Sequence, residues 1–154
     1  MAGSGGFWRA ATGWPAGDVA PVATLAEGLA TADVVPVHIP KADAPIIAAA
    51  EIALMKHGAI IINTARGGIV DKAALADALR SGQIAAAGLD VFDADPPARD
   101  HPLLAFDQVI LSPHTAGLTC EAADRMATAS VQTVPDHFAG RLDSALIVNK
   151  DALR

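Results

Sequence analysis

Apolar runs alternate with amphipathic segments along most of the chain, and this alternation predicts strands and helices in turn. Strands are predicted over residues 33–38, 59–63, 84–90 and 109–112. The run 59–63 is apolar up to its last residue, which is typical of a strand covered on both faces. Strands separated by helices at short spacing indicate βαβ units, so right-handed crossovers should lay the four strands side by side in one parallel sheet.

Helices are predicted between and after these strands, each with a start or stop signal. They cover residues 24–31, 44–56, 72–80 and 119–139. The first helix begins at a capping box formed by Thr24 and Glu27, and the second has Pro45 in its first turn and Gly58 past its end. Asp71 is the N-cap of the third helix and Gly82 ends it. In the fourth, Pro135 is expected to cause a kink. The elements therefore predict an α/β fold with helices flanking a parallel sheet.

Pro36 is unusual within the first predicted strand. A proline has no amide hydrogen, whereas an interior strand needs hydrogen-bond donors along both edges. We therefore expect this strand to lie at an edge of the sheet.

Composition narrows the functional classes. The chain has 154 residues, of which 52% are hydrophobic and 18% charged, as expected for one globular domain. A net charge of -6 argues against nucleic acid or an anionic membrane as partner.

Cys120 is the only cysteine, and His57, His101 and His137 have no second ligand at a metal spacing, so we expect neither a disulfide nor a metal site. No segment is apolar enough to span a membrane, so a soluble, cytoplasmic protein is expected.

Polar residues follow each predicted strand, at the edge where ligands bind in open parallel sheets. His38 ends the first strand, Arg66 comes shortly after the second, Asp90 closes the third and His114 follows the fourth. Each could be an ordinary loop or turn residue when taken singly. Their convergence at one edge predicts a small-molecule site.

The combination suits acid/base chemistry on an anionic substrate. Asp95 lies a few residues after the third strand, within reach of His114. An aspartate beside a histidine holds one imidazole tautomer and favours the charged ring, which then acts as a proton donor. Arg66 offers a planar fork for a carboxylate or keto oxygen.

These same stretches resemble the D-isomer-specific 2-hydroxyacid dehydrogenases, a family that includes phosphoglycerate, glycerate and glyoxylate/hydroxypyruvate enzymes. The resemblance covers roughly residues 17–150 and is carried by the following motifs: Ala32-Asp33-Val34-Val35, His38-Ile39-Pro40, the run 54–71 with Asn63-Thr64-Ala65-Arg66-Gly67-Gly68, Gly88-Leu89-Asp90-Val91-Phe92, Asp95-Pro96, Ser112-Pro113-His114-Thr115-Ala116-Gly117 and Val148-Asn149.

The resemblance implies a role for each residue. Arg66 would bind the substrate, His114 would be the general acid/base and Asp95 would orient His114. Asp90 would bind the nicotinamide carboxamide, and the remaining cofactor-lining residues would be Ile39, Thr64, Ala65, His114, Thr115, Ala116 and Gly117. The implied reaction is hydride transfer between NAD, with NADP left open, and a small 2-keto or 2-hydroxy acid. A homodimer is the implied assembly.

Three departures from the family pattern matter. The connection between Pro40 and Pro45 is a little shorter than the family's usual one, which would alter a cofactor-lining turn. The family usually has glutamate where Asp95 stands, so the loop must shift or the pair with His114 loosens. No G-x-G-x-x-G occurs, because Gly3-Ser4-Gly5-Gly6 lacks the flanking strand and helix. The resemblance implies that the pyrophosphate loop and most of a substrate domain would lie upstream of residue 1.

The expected fold is therefore a truncated Rossmann-like sheet whose first βαβ unit is largely missing. Residues 1–16 are unassigned, 17–150 form a partial NAD(P)-binding domain whose last helix packs toward the missing substrate domain, and 151–154 are a tail. The chain would be a fragment, a truncated product or a degenerate paralogue.

Two alternatives to the dehydrogenase remain open. One is a catalytically silent oligomerisation or regulatory module derived from such an enzyme, which the absent glycine motif and Asp95 in place of glutamate favour. The other is an enzyme that shares this cofactor domain, such as a formate or phosphite dehydrogenase or an adenosylhomocysteinase. The spacing of Arg66, Asp95 and His114 favours the hydroxyacid enzymes.

Overall fold

The computed structural model describes residues 21–149, which divide into two compact units, 21–115 and 116–149. Expectations for residues 1–16 and for the tail lie outside the described residues. The first unit contains, in chain order, α1 (Leu25–Thr31), β1 (Val34–Val37), α2 (Ala49–Leu54), β2 (Ala59–Asn63), α3 (Lys72–Ser81), β3 (Ile84–Leu89), a 3₁₀ turn (Pro102–Ala105) and β4 (Val109–Leu111). The second contains α4 (Cys120–Phe138) and a 3₁₀ turn (Ser144–Leu146).

The four strands form one parallel sheet in the order β1-β2-β3-β4, which confirms the predicted fold class. Each strand pairs with the next along the chain, as consecutive crossovers of one hand require. Ile61 of β2 lies beside Ala87 of β3, and Leu89 lies beside Leu111 of β4. Because all four strands run the same way, their carboxyl ends lie at one edge of the sheet.

The core of the first unit is built around β2, as its unbroken apolar run predicts. Ile61 and Ile84 are fully buried in the sheet, and Leu29 and Leu75 pack against it from α1 and α3. Burying a side chain of this size contributes roughly 1.5–3 kcal/mol. This packing makes the sheet a rigid support for the loops at its carboxyl edge.

The predicted limits of α1 and α3 are confirmed by their caps. The Thr24 hydroxyl accepts a hydrogen bond from the Glu27 amide while the Glu27 carboxylate accepts from Thr24. The Asp71 carboxylate accepts from the Ala74 amide at 2.8 Å. Gly82 ends α3 in the left-handed conformation, with φ of 80°.

The predicted helix over 44–56 is wrong in its first turn and begins only at Ala49. The amides of Ile46 and Ile47 donate to the Ile69 carbonyl at 2.9 and 3.0 Å, and the Asp71 amide donates to the Ile47 carbonyl at 2.9 Å. These bonds tie the segment before α2 to residues 69–71 as an extended chain. The backbone groups that a helix would use are thereby taken by a distant segment.

Pro36 pairs in register with Ile62 of β2, and within the described residues β1 has no other neighbouring strand. The predicted edge position is therefore confirmed for residues 21–149. The missing amide hydrogen falls where no ladder bond is required.

The second unit is dominated by α4, which spans 19 residues. The Thr119 hydroxyl caps it by accepting from the Ala122 amide at 3.1 Å, as predicted. Pro135 lies in its last turn, and the expected kink stays a prediction. No side chain of α4 is buried, and within residues 21–149 no helix is long and apolar enough to cross a membrane.

Candidate active site

Two buried polar residues mark the carboxyl edge of the sheet. Asn63 is the last residue of β2, Asp90 directly follows β3, and each is only 3% exposed. The Asp90 amide donates to the Asn63 carbonyl at 3.0 Å, so sheet-like pairing continues past the end of β3. Polar groups are buried at such a position only when they are hydrogen-bonded, so their partners show what they organise.

Asn63 organises the turn that carries Arg66. Its Oδ1 accepts from the Ala65 amide at 3.1 Å, and its Nδ2 donates to the Arg66 carbonyl at 2.9 Å. This role of Asn63 is not among those predicted from the sequence. The available signal was a polar residue closing an otherwise apolar strand.

Arg66 is exposed at the carboxyl edge. Its Nη1 donates to the Ala65 carbonyl at 2.6 Å, which turns the guanidinium back over its own chain. Within residues 21–149 it forms no ion pair with Asp95. The structure therefore places Arg66 at the predicted edge without joining it directly to the acid.

Gly67 brings the Arg66 turn against the segment that leads to Asp95. A Cβ on Gly67 would lie 1.8 Å from the Phe92 carbonyl oxygen and 2.6 Å from the Asp93 amide nitrogen. Only a residue without a side chain permits this approach. The turn after β2 and the chain after β3 are consequently in direct backbone contact.

The loop 93–100, which we call the acid loop, is fixed at its base. Lys72 Nζ lies 2.7 Å from Asp93 Oδ2, and this hydrogen bond, followed by the charge of Asp93, raises the pKa of Lys72 above its usual value. Phe92 and His101, which flank the loop, meet edge to face with ring centroids 5.3 Å apart. Such aromatic pairs contribute about 0.5–1.5 kcal/mol.

The acid loop brings Asp95 to His114. Asp95 Oδ2 lies 3.0 Å from His114 Nδ1, so the aspartate makes this contact despite its short side chain. An ionised carboxylate only accepts hydrogen bonds, so in a contact with one Nδ1 is the donor, and Nε2 is the ring nitrogen left for a small molecule. The two side chains are 45% and 51% exposed, which leaves them accessible to a small molecule.

Asp90 binds the loop around His114. Its Oδ1 accepts from the Ser112 hydroxyl at 2.6 Å and from the Thr115 amide at 2.8 Å. His114 lies between these two residues with φ of 56°. Ser112 is part of a family motif in the sequence, but its contact with Asp90 is not predictable from that motif.

The remaining predicted residues are distributed along the chain as follows. Ile39, just after β1, is half-buried against the core, and Thr64 is half-buried in the turn after β2. Ala116 and Gly117 are exposed and belong to the second unit. Among the described residues, no three His, Cys, Asp or Glu side chains form a group that could hold a metal ion.

A parallel sheet with polar side chains at its carboxyl edge places the chain in the class of open α/β folds, which bind ligands at that edge. Residues 15–116 match the family model described as D-isomer specific 2-hydroxyacid dehydrogenase, NAD binding domain. The chain belongs to this family, as its resemblance predicts.

Comparison with an individual enzyme agrees with this family assignment. The chain is 41% identical over 133 residues to glyoxylate reductase of Aeropyrum pernix, a match that covers 85% of this chain and 39% of that enzyme.

Two solved structures share the fold. A D-isomer specific 2-hydroxyacid dehydrogenase from Xanthobacter autotrophicus Py2, in complex with NADPH and MES, is 38% identical with a TM-score of 0.66, and the match covers 75% of this chain and 48% of that one. D-lactate dehydrogenase from Aquifex aeolicus, complexed with NAD and lactic acid, is 32% identical with a TM-score of 0.69, covering 77% and 40%. The chain thus spans less than half the length of these relatives.

Proposed function

We propose that this chain supplies the catalytic residues of an NAD(P)-dependent dehydrogenase that interconverts a D-2-hydroxy acid and a 2-keto acid. The observation that carries the proposal is the 3.0 Å contact between Asp95 and His114 at the carboxyl edge of the sheet. Membership of the D-2-hydroxyacid dehydrogenase family supports the reaction class.

His114 acts as the general acid/base. Asp95 holds Nδ1 protonated, so Nε2 delivers a proton to the keto oxygen during reduction and removes one from the hydroxyl during oxidation. As the ring gains positive charge, the carboxylate beside it stabilises that charge. Asp95 is a positioning residue, because it acts through the histidine.

Arg66 binds the substrate. Its guanidinium carries a fixed positive charge and a planar set of donors that matches a carboxylate. Its bond to the Ala65 carbonyl uses one donor and limits where the head group can lie. Arg66 therefore selects 2-keto acids, which carry a carboxylate beside the reacting carbonyl, over simple ketones.

The cofactor is NAD, with NADP as the alternative, and when bound it supplies or accepts the hydride. The Asp90 carboxylate suits the nicotinamide end, because a carboxylate accepts hydrogen bonds and a carboxamide donates them. Ile39, Thr64, Ala65 and the residues His114, Thr115, Ala116 and Gly117 line the cofactor. The NAD and NADPH bound to structural relatives support both choices.

The substrate is a small 2-keto acid. Relatives named for glyoxylate, or solved with lactic acid, support a compact carboxylate substrate. The test is NADH oxidation by the purified chain with glyoxylate, pyruvate, hydroxypyruvate and phenylpyruvate.

Arg66→Ala should abolish this turnover by raising KM for the acid, because the carboxylate loses its partner. Arg80→Ala is the matched control, since α3 ends at the opposite edge of the sheet, and it should keep full activity. Equal activity of both variants would refute the role of Arg66.

A second candidate is a catalytically silent oligomerisation or regulatory module. The absence of G-x-G-x-x-G from the 154 residues favours it, because this motif cradles the pyrophosphate. Titration with NADH, followed by its fluorescence, separates the two. Binding with turnover supports the dehydrogenase, whereas no binding and no turnover support the silent module.

The assembly is a homodimer in the cytoplasm, with residues 17–150 as a partial NAD(P)-binding domain and α4 packed toward a substrate domain. The exposed apolar side chains support burial in an assembly; they include Ile110, Val131 and Phe138, at 78%, 73% and 84% exposed. Sedimentation velocity tests the dimer, and a monomer at all concentrations would contradict it.

A further inference from the structure

The His114 side chain is only half-covered by the surrounding protein. It is 51% exposed, and within residues 21–149 it bonds to Asp95, which is itself 45% exposed. A half-exposed pair of this kind is screened by water and stabilises little on its own. The orientation of the ring must therefore depend on how the backbone at residue 114 is held.

That backbone is in an unfavourable conformation. His114 has φ of 56°, a left-handed conformation that side chains other than glycine adopt only under constraint. The ring of Pro113, the preceding residue, fixes only the φ of Pro113 itself. The groups that hold His114 in this conformation must therefore lie outside the Pro113–His114 dipeptide. Ser112 and Thr115, on either side, are the residues tied to the sheet.

The anchor on the sheet is the Asp90 carboxylate. It is 3% exposed, and its Oδ1 accepts both the Ser112 hydroxyl at 2.6 Å and the Thr115 amide at 2.8 Å. The Ser112 amide also donates to the Leu89 carbonyl at 3.0 Å, so Ser112 is held at two points. Charge-assisted hydrogen bonds of this length are about twice as strong as neutral ones.

We propose that Ser112 is a positioning residue, whose hydroxyl closes the loop 112–115 onto Asp90 and thereby aims the His114 ring at Asp95. The proposal rests on the proposed function for its catalytic consequence. Asp90 then holds the loop 112–115 in addition to making its proposed contact with the cofactor. Its carboxylate couples the end of β3 to the acid/base group after β4.

The test compares Ser112→Ala with Ser112→Thr, which keeps a hydroxyl, in the full chain labelled with ¹⁵N at histidine. The His114 ring nitrogens are identified by the signal that His114→Gln removes. The parent should show Nδ1 protonated whenever the ring is neutral. Ser112→Ala should shift His114 toward a mixture of tautomers, and Ser112→Thr should restore the parent pattern. A parent-like His114 spectrum in folded Ser112→Ala overturns the proposal.

A measurement on the parent chain covers the case in which Ser112→Ala does not fold. Thr115 is exposed and lies in a loop, so its amide should exchange with solvent rapidly unless Asp90 holds it. Slow exchange of this amide supports the anchoring of the loop 112–115 on Asp90, which the proposal requires, and fast exchange overturns it.

Enzyme kinetics of the Ser112 variants are a second test of the proposal. Ser112→Ala should lower kcat by roughly tenfold, about the effect of weakening one acid/base contact, while KM for the keto acid stays unchanged because Arg66 is not moved. Ser112→Thr should recover kcat. An inactive parent chain that binds no NADH would refute the proposed function, whereas the His114 ring tautomer in the Ser112 variants would still decide the role of Ser112.

Discussion

Gly67→Ala tests whether backbone contact between two loops sets the geometry of the acid/base pair. The new Cβ would lie 1.8 Å from the Phe92 carbonyl oxygen. Ordinary contacts begin near 3.4 Å, so the two backbones must separate by about 1.6 Å. No flexible side chain lies between them to absorb the movement.

The separation acts directly on the acid loop. If it is transmitted in full, the 3.0 Å contact between Asp95 and His114 lengthens to about 4.6 Å, beyond hydrogen-bond range. A misplacement of about 1 Å in a catalytic group can cost roughly 100-fold in rate. Overpacking of this kind also lowers the free energy of unfolding by about 1–3 kcal/mol.

The assay measures both quantities beside Gly88→Ala as the matched control. A Cβ on Gly88 would lie 3.7 Å from the Ile62 side chain, which is an ordinary contact, and alanine costs less backbone entropy than glycine on folding. Gly88→Ala should therefore keep the parent kcat and unfolding free energy. Equal values for the two variants in urea unfolding and in kcat would refute the argument from Gly67.

Two further predictions concern single hydrogen-bonded residues. Asn63→Ala leaves the buried Ala65 amide without its acceptor, so the free energy of unfolding in urea should fall by about 2 kcal/mol. Gln108→Ala removes an exposed side chain whose amide makes only a long bond of 3.5 Å to the Leu79 carbonyl, so it should change this free energy by less than about 0.5 kcal/mol. Equal losses would contradict the role of Asn63. The Glu121 carboxylate accepts from its own amide and from the Thr119 hydroxyl, and these bonds lower the pKa of Glu121 below its usual 4.5. The ionised Glu121 carboxylate therefore stabilises the fold above pH 4.5, and this stabilisation disappears as the pH falls through the lowered pKa. Glu121→Gln should accordingly be less stable than the parent near neutral pH and equal to it in strong acid. A difference in urea unfolding that persists in strong acid would contradict this assignment.

The arrangement of strands and most helix limits could be predicted because they depend on local signals. The apolar run 59–63 and the caps at Thr24 and Asp71 use residues within one or two turns of each other. The start of α2 could not be predicted in this way. Its signal at Pro45 was overridden by hydrogen bonds from residues 46 and 47 to Ile69, which lies far along the chain.

The residue types needed for acid/base chemistry are determined by the sequence, as is their position after parallel strands, because strand direction alone brings Arg66, Asp90 and His114 to one edge. Only the tertiary structure decided how they are held. The close approach of Gly67 to Phe92 and the bond from Ser112 to Asp90 join loops that follow different strands. Such contacts depend on distances of a few tenths of an ångström between separately packed segments, and no local pattern of residues encodes them.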